Sequence, residues 1–198
     1  MNSIASLDDW RASGETISIK GQRIFATVTG TGNPALLLHG FPTASYDYAR
    51  LLPLLAPHLR LIAFDFLGFG FSDKPRPHTY SLFEQADIAE AVAVHYGAQR
   101  CTIITHDMGN SVALELLRRG TLTVERLVML NGSVLLKYYR PLITQRLLLH
   151  PVVGPLITRF RLINRAAFAR QFSTLFAAPP ADAEIDAFWS LINHHDGA

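Results

Sequence analysis

With 198 residues and a mass of 22.0 kDa, the chain is long enough for one domain with a sizeable core. Hydrophobic residues make up 49% and charged residues 17%, which excludes a disordered chain. The net charge of +2 gives no basis for a nucleic-acid partner, and the single Cys101 excludes an internal disulfide. No cofactor or metal is expected.

Residues Met1 to Gly14 carry Asp8 and Asp9 and no apolar run, so no signal peptide is expected. No uncharged apolar stretch reaches the roughly 18 residues of a membrane-spanning helix. A cytoplasmic location is the expectation. Between Leu127 and Ala181 there is no Asp or Glu, whereas Lys137, Arg140, Arg146, Arg159, Arg161, Arg165 and Arg170 are all basic. An acidic body joined to a basic, apolar last third predicts two structural units. Cations set among Leu, Ile and Phe, as in Pro155–Arg165, also suit peripheral contact with a membrane surface. A solvated cap face is the plainer explanation.

In chain order, Thr16–Lys20 and Arg23–Val28 alternate around Gly21-Gln22, which predicts an antiparallel hairpin. Short unbroken apolar runs follow at Ala35–Leu38, Leu61–Phe64, Cys101–Thr105 and Leu127–Leu130. Such runs predict strands buried on both faces, as parallel strands under helices are. Ser81-Leu82-Phe83-Glu84 is a capping box that opens a helix with Ile88, Ala89, Val92, Ala93 and Tyr96 on one face. Gly97 fits its stop. A second helix is expected from about Gly109 to Arg119, with Gly120 after it. Strand–helix alternation of this kind predicts an α/β fold with a mostly parallel sheet and flanking helices. After Gly132 the strand pattern stops, and Pro141, Pro151, Pro155, Pro179 and Pro180 punctuate four short helical segments. Residues 1–135 read as a core and 136–198 as a helical cap.

The chemistry centres on Thr105-His106-Asp107-Met108-Gly109-Asn110, where an apolar strand meets a helix. A nucleophile elbow is a tight strand-to-helix turn that needs small residues on either side of the reactive one. Thr105, Gly109 and Asn110 meet that need around Asp107. In a rival register, Gly109-Asn110-Ser111-Val112-Ala113 makes Ser111 an esterase nucleophile, but Ser111 then falls inside the helix. A third possibility is that Asp107 simply caps the helix. His39-Gly40-Phe41-Pro42 follows the strand that supplies one oxyanion-hole amide in such folds. Phe41 and Met108 are therefore the candidate amide donors, around a tight Phe41–Pro42 turn for which a cis peptide is one option.

Taken together, His39–Pro42, Asp65–Pro75 and His106-Asp107 resemble the epoxide hydrolase and haloalkane dehalogenase branch of the α/β-hydrolase fold. Leu130-Asn131-Gly132, Arg140-Pro141-Leu142, Gly154-Pro155 and Asp196-Gly197 are similar to the mesoderm-specific-transcript group of hydrolase-like proteins. The resemblance implies an aspartate nucleophile, a covalent alkyl ester and a small apolar organic substrate. It also implies a cap tyrosine that protonates an opening epoxide, for which Tyr138 and Tyr139 are the candidates, with His39 as a further substrate-facing residue. Halide-binding members carry N–H side chains where this chain has Phe41 and Met108, so chloroalkane dehalogenation is not expected. Asn131 stands where some relatives place the triad acid. The catalytic histidine, its acid and the remaining strands are expected beyond residue 198. A non-catalytic or membrane-surface relative of the same fold is the alternative.

Overall fold

The computed structural model describes residues 6–132, 146–147, 150–151, 153–154, 157 and 164–196. A short helix α1 (Leu7–Ala12), capped by the Ser6 side chain on the Asp9 amide, leads into β1 (Gly14–Ile19) and β2 (Gln22–Thr29). The composition of the first residues gave no sign of α1; its anchor is Trp10, buried beside Tyr46. The hairpin forms as expected, but its turn is Lys20-Gly21 rather than Gly21-Gln22, because Ile19 pairs with Gln22. Lys20 and Gly21 have φ of 51° and 80°, the two positive angles that let a two-residue loop follow the strand twist.

β3 (Asn33–Leu38), β4 (Leu59–Phe64), β5 (Arg100–His106) and β6 (Thr123–Leu130) complete a six-stranded sheet in the order β1-β2-β4-β3-β5-β6. The last four are mutually parallel, β2 pairs antiparallel with β4, and β1 pairs antiparallel with β2 at the edge. Between β3 and β4 lie a 3₁₀ turn (Ser45–Tyr48) and α2 (Leu52–Leu55). α3 (Leu82–His95) and α4 (Met108–Arg119) flank β5 in sequence. Further on come α5 (Arg165–Ser173) and α6 (Asp182–Asn193).

Strand alternation divides the core between the two faces of the sheet. Leu36, Leu38, Ile62, Phe64 and Ile103 pack with Ile88 and Val92 of α3 and Val112 and Leu116 of α4. Ala35, Leu37, Leu61, Ala63 and Ile104 belong to a second cluster with Trp10, Tyr46, Phe168, Phe172, Phe188 and Leu191. Helices α5 and α6 therefore share apolar burial with the body of the chain, and Arg50 binds Glu184 at 2.8 Å. Two further expectations need correction. Glu84 does not complete the capping box: Ser81 accepts from the Glu84 amide, but the Glu84 carboxylate takes His78 at 2.9 Å. β6 is not buried on both faces. It is the last strand of the sheet, and Val128 and Leu130 stay 43% and 40% exposed.

Of the basic residues in the last third, Arg165 is paired with Asp186 at 2.5 Å and Asp182 at 3.4 Å. Most of the expected Pro155–Arg165 helix, and Lys137, Arg140, Arg159 and Arg161, lie outside the described residues. No helix among the described residues is long and apolar enough to cross a membrane.

Candidate active site

β5 delivers His106 to the end of the parallel strands, and the chain then turns into α4 through one residue. That residue is Asp107, at φ 47° and ψ −114°. A non-glycine side chain held there costs about 1–3 kcal/mol and persists only where the surroundings over-determine it. Three glycines provide that enclosure. A Cβ at Gly40 would stand 2.6 Å from Asp107 Cβ, and one at Gly132 would stand 2.7 Å from Asp107 O. A Cβ at Gly109 would overlap the Leu38 carbonyl, so β3 and α4 approach each other only because residue 109 is glycine. The Asp107 amide donates to Leu130 O at 3.3 Å, which ties the turn to the end of β6.

Asp107 occupies the N-cap position of α4, yet its side chain caps nothing there. Instead Oδ2 accepts the Phe41 amide at 3.0 Å. The capping role is thereby displaced by a contact to the loop after β3. The Phe41–Pro42 peptide in that loop is cis. Met108 is the first residue of α4, so its N–H is one of the first-turn donors that no carbonyl of the helix can reach. Ser111 lies within α4, past the turn. The Phe41 ring is 51% exposed and meets Phe69 edge-on, giving the site an apolar border.

His39 does not face a substrate. It is fully buried, its Nε2 accepts the Phe66 amide at 2.9 Å, and Nδ1 stands 2.8 Å from Gly40 O. Accepting at Nε2 puts the proton on Nδ1, so both ring nitrogens are spent on backbone. Burial pushes its pKa down, against the raising influence of Asp65 and Asp47. Asp65 is a second buried fastener: Oδ1 accepts the Ser45 amide at 2.8 Å and its hydroxyl at 2.5 Å, while Oδ2 accepts the Phe71 amide at 2.7 Å. These two side chains hold the loops after β3 and β4 together beneath Phe41. Tyr138 and Tyr139 lie outside the described residues.

No local motif points to Asp47. It sits in the 3₁₀ turn, accepts the Thr43 hydroxyl at 2.5 Å, and lies 3.8 Å from His106 Nδ1. That separation is an ion-pair distance, longer than a hydrogen bond. Asp47 raises the His106 pKa above its ordinary value, burial opposes it, and Asp107 adds to the rise. Among the described residues no group of three or more His, Cys, Asp or Glu is arranged to hold a metal ion.

The parallel strands, the helices on both faces and the β5–α4 turn are the layout of an α/β hydrolase. The chain belongs to the α/β-hydrolase fold family, which it matches over residues 33–182. It is similar to mesoderm-specific transcript protein of Mus musculus, with 42% identity over 208 residues, 97% of this chain and 62% of that protein. The chain thus spans less than two thirds of that relative. It is also similar to a soluble epoxide hydrolase of Corynebacterium sp. (strain C12), 35% identical over 113 residues, 57% of this chain and 39% of that enzyme. Among solved structures, Cfl2 of Burkholderia cenocepacia shares the fold with a TM-score of 0.80 at 24% identity, over 93% of this chain and 67% of that one.

Proposed function

We propose that the site belongs to a hydrolase with an aspartate nucleophile and epoxide hydrolase-like chemistry, Asp107 forming a covalent alkyl ester. The observation that carries this reading is the strained Asp107 at the β5–α4 turn, its Oδ2 held by the Phe41 amide at 3.0 Å. A carboxylate is ionised at neutral pH and needs no base for its first attack. With Oδ2 engaged, Oδ1 attacks a ring carbon of the epoxide, the C–O bond breaks, and the alkoxide takes a proton from an acid. Oδ2 then becomes the ester carbonyl oxygen, already seated on one oxyanion donor, with the Met108 amide as the second. Each donor is worth about 3 kcal/mol when water adds to that carbonyl. Collapse of the adduct releases a diol and restores the carboxylate. Residues 136–198 act as the cap, and a small apolar organic epoxide is the substrate class that suits the Phe41 border.

The family relationship and the likeness to a soluble epoxide hydrolase support the reading. Incubation with a small epoxide, digestion and mass spectrometry should place one adduct on the peptide containing Asp107. Asp107→Asn should remove it and Ser111→Ala should not. Adducts confined to Cys101 or the histidines would defeat the assignment. Loss of the adduct in Ser111→Ala alone would favour the serine register.

A further inference from the structure

Two chain segments that are distant in sequence meet around Gly40, the stretch after β3 and the end of β5. Asp47 and Thr43 lie beyond the loop that carries the Phe41 amide, and His106 immediately precedes Asp107 on β5. A single point, the Cβ position of Gly40, lies 3.1 Å from both Asp107 Oδ2 and His106 Nδ1. The imidazole and the carboxylate therefore flank the same narrow gap, which Gly40 leaves open. Asp47 Oδ2 closes the circuit, 2.5 Å from the Thr43 hydroxyl and 3.8 Å from His106 Nδ1.

We propose that Asp47 and His106 form an ionic clamp that holds the Phe41 loop against the Asp107 turn, making His106 a positioning residue for the oxyanion donor. This rests on the reading of Asp107 given above and names a device within that site. Without the clamp, Phe41 N–H to Asp107 Oδ2 is the one hydrogen bond among the described residues that joins the tip of the loop to the turn. That bond changes character once Oδ2 becomes an ester oxygen, so the loop needs a second tether that survives the reaction. Asp47 and His106 provide it without touching the reacting atoms. Among the described residues, the charged and titratable groups that act on His106 are Asp47 from the 3₁₀ turn, Asp107 from the turn after β5 and His39 from the end of β3. His39 is kept neutral by burial, so two carboxylates face one imidazole. The clamp is closed while His106 is protonated and weakens as the proton leaves.

The test uses the full chain, with His106→Gln, Asp47→Asn and Asp47→Glu. In an NMR titration, His106 should titrate above the ordinary histidine value and fall by roughly half a unit or more in Asp47→Asn. Amide exchange at Phe41, corrected for intrinsic rate, should accelerate about two- to fivefold in Asp47→Asn and His106→Gln. The Ile103 amide in β5 should hold its protection, and Asp47→Glu should restore that of Phe41. Alkylation at Asp107 should slow above the His106 pKa in the wild type, and that alkaline limb should be absent in His106→Gln. An unchanged His106 titration in Asp47→Asn, or unchanged Phe41 exchange in both variants, overturns the clamp. If Phe41 exchange responds but the wild type never alkylates at Asp107, the clamp stands and the nucleophile reading falls.

Discussion

Small side chains and buried fasteners make the Asp107 turn possible, and each is open to a point mutation. Gly109 is packed so that a methyl group would overlap the Leu38 carbonyl and stand 2.7 Å from Thr105 Oγ1. Neither β3 nor the start of α4 has room to move without carrying the turn with it. Gly109→Ala should cost about 1–3 kcal/mol, as overpacking in a core does, read as a lowered urea midpoint. Asp65 tests the fasteners. Its carboxylate takes two amides and one hydroxyl while fully buried. Asp65→Ala strands those donors without water, and a loss of about 3 kcal/mol or more is expected in the same denaturation experiment. A loss under 1 kcal/mol would mean that the loops after β3 and β4 find other partners. Exposed phenylalanines such as Phe83 should tolerate substitution in the same assay.

The helices on one face of the sheet are joined to each other as well as to the strands. Arg119, in the last turn of α4, binds Glu115 in its own helix, and Asp87, Glu90 and the Phe83 carbonyl of α3. Its side chain is 17% exposed, so this network is partly shielded from solvent. A shared, shielded network holds more than an isolated surface pair, whose usual worth is about 0–1 kcal/mol. Arg119→Ala should therefore cost about 1–2 kcal/mol, and the loss should shrink in Asp87→Asn, where one partner is already absent. Equal losses in both backgrounds would show that Asp87 is not coupled to Arg119. Arg118, by contrast, contacts Glu115 in its own helix with its side chain 70% exposed, and its removal should be nearly silent.

At the scale of the molecule, proton uptake sets an acid limit. Burial lowers the pKa of both His39 and His194, the latter to about 4. The unfolded chain protonates its histidines near pH 6.5. Between about pH 6.5 and 4 it therefore binds more protons than the folded chain, and stability falls as pH falls. Asp73 extends the loss. Burial alone would raise its carboxyl, but hydrogen bonds from Arg23 outweigh that and hold it low, so its contribution disappears as pH falls through the folded value. His106 works in the opposite sense, since its contribution is complete below about pH 6.5 and is lost as pH rises through its raised folded value. Thermal midpoints measured from pH 8 to pH 4 should drop on the acid side, with a shallower drop in His194→Gln. An identical slope in that variant would exclude His194. The open edge of β6 sets a second limit. With Val128 and Leu130 exposed and β6 paired on one side only among the described residues, the 198-residue chain should be aggregation-prone. A soluble monomer with a cooperative unfolding transition would refute that expectation.

The sequence by itself determined the hairpin, the four parallel strands, the helices α3 and α4 and the position of Asp107 between strand and helix. Each of these rests on local rules: period-two alternation, unbroken apolar runs, capping serines, and glycines where the backbone must turn or approach closely. Tertiary structure decided the rest. It placed β4 between β2 and β3 and turned the Asp107 carboxylate to the Phe41 amide rather than to its own helix. It buried His39 on the Phe66 amide, gave Glu84 to His78 rather than to the capping box, and set Asp47 beside His106. Those contacts depend on which strands lie side by side. Residues 47 and 106 meet because β3 and β5 are neighbours in the sheet, a relation that no local pattern around either residue encodes.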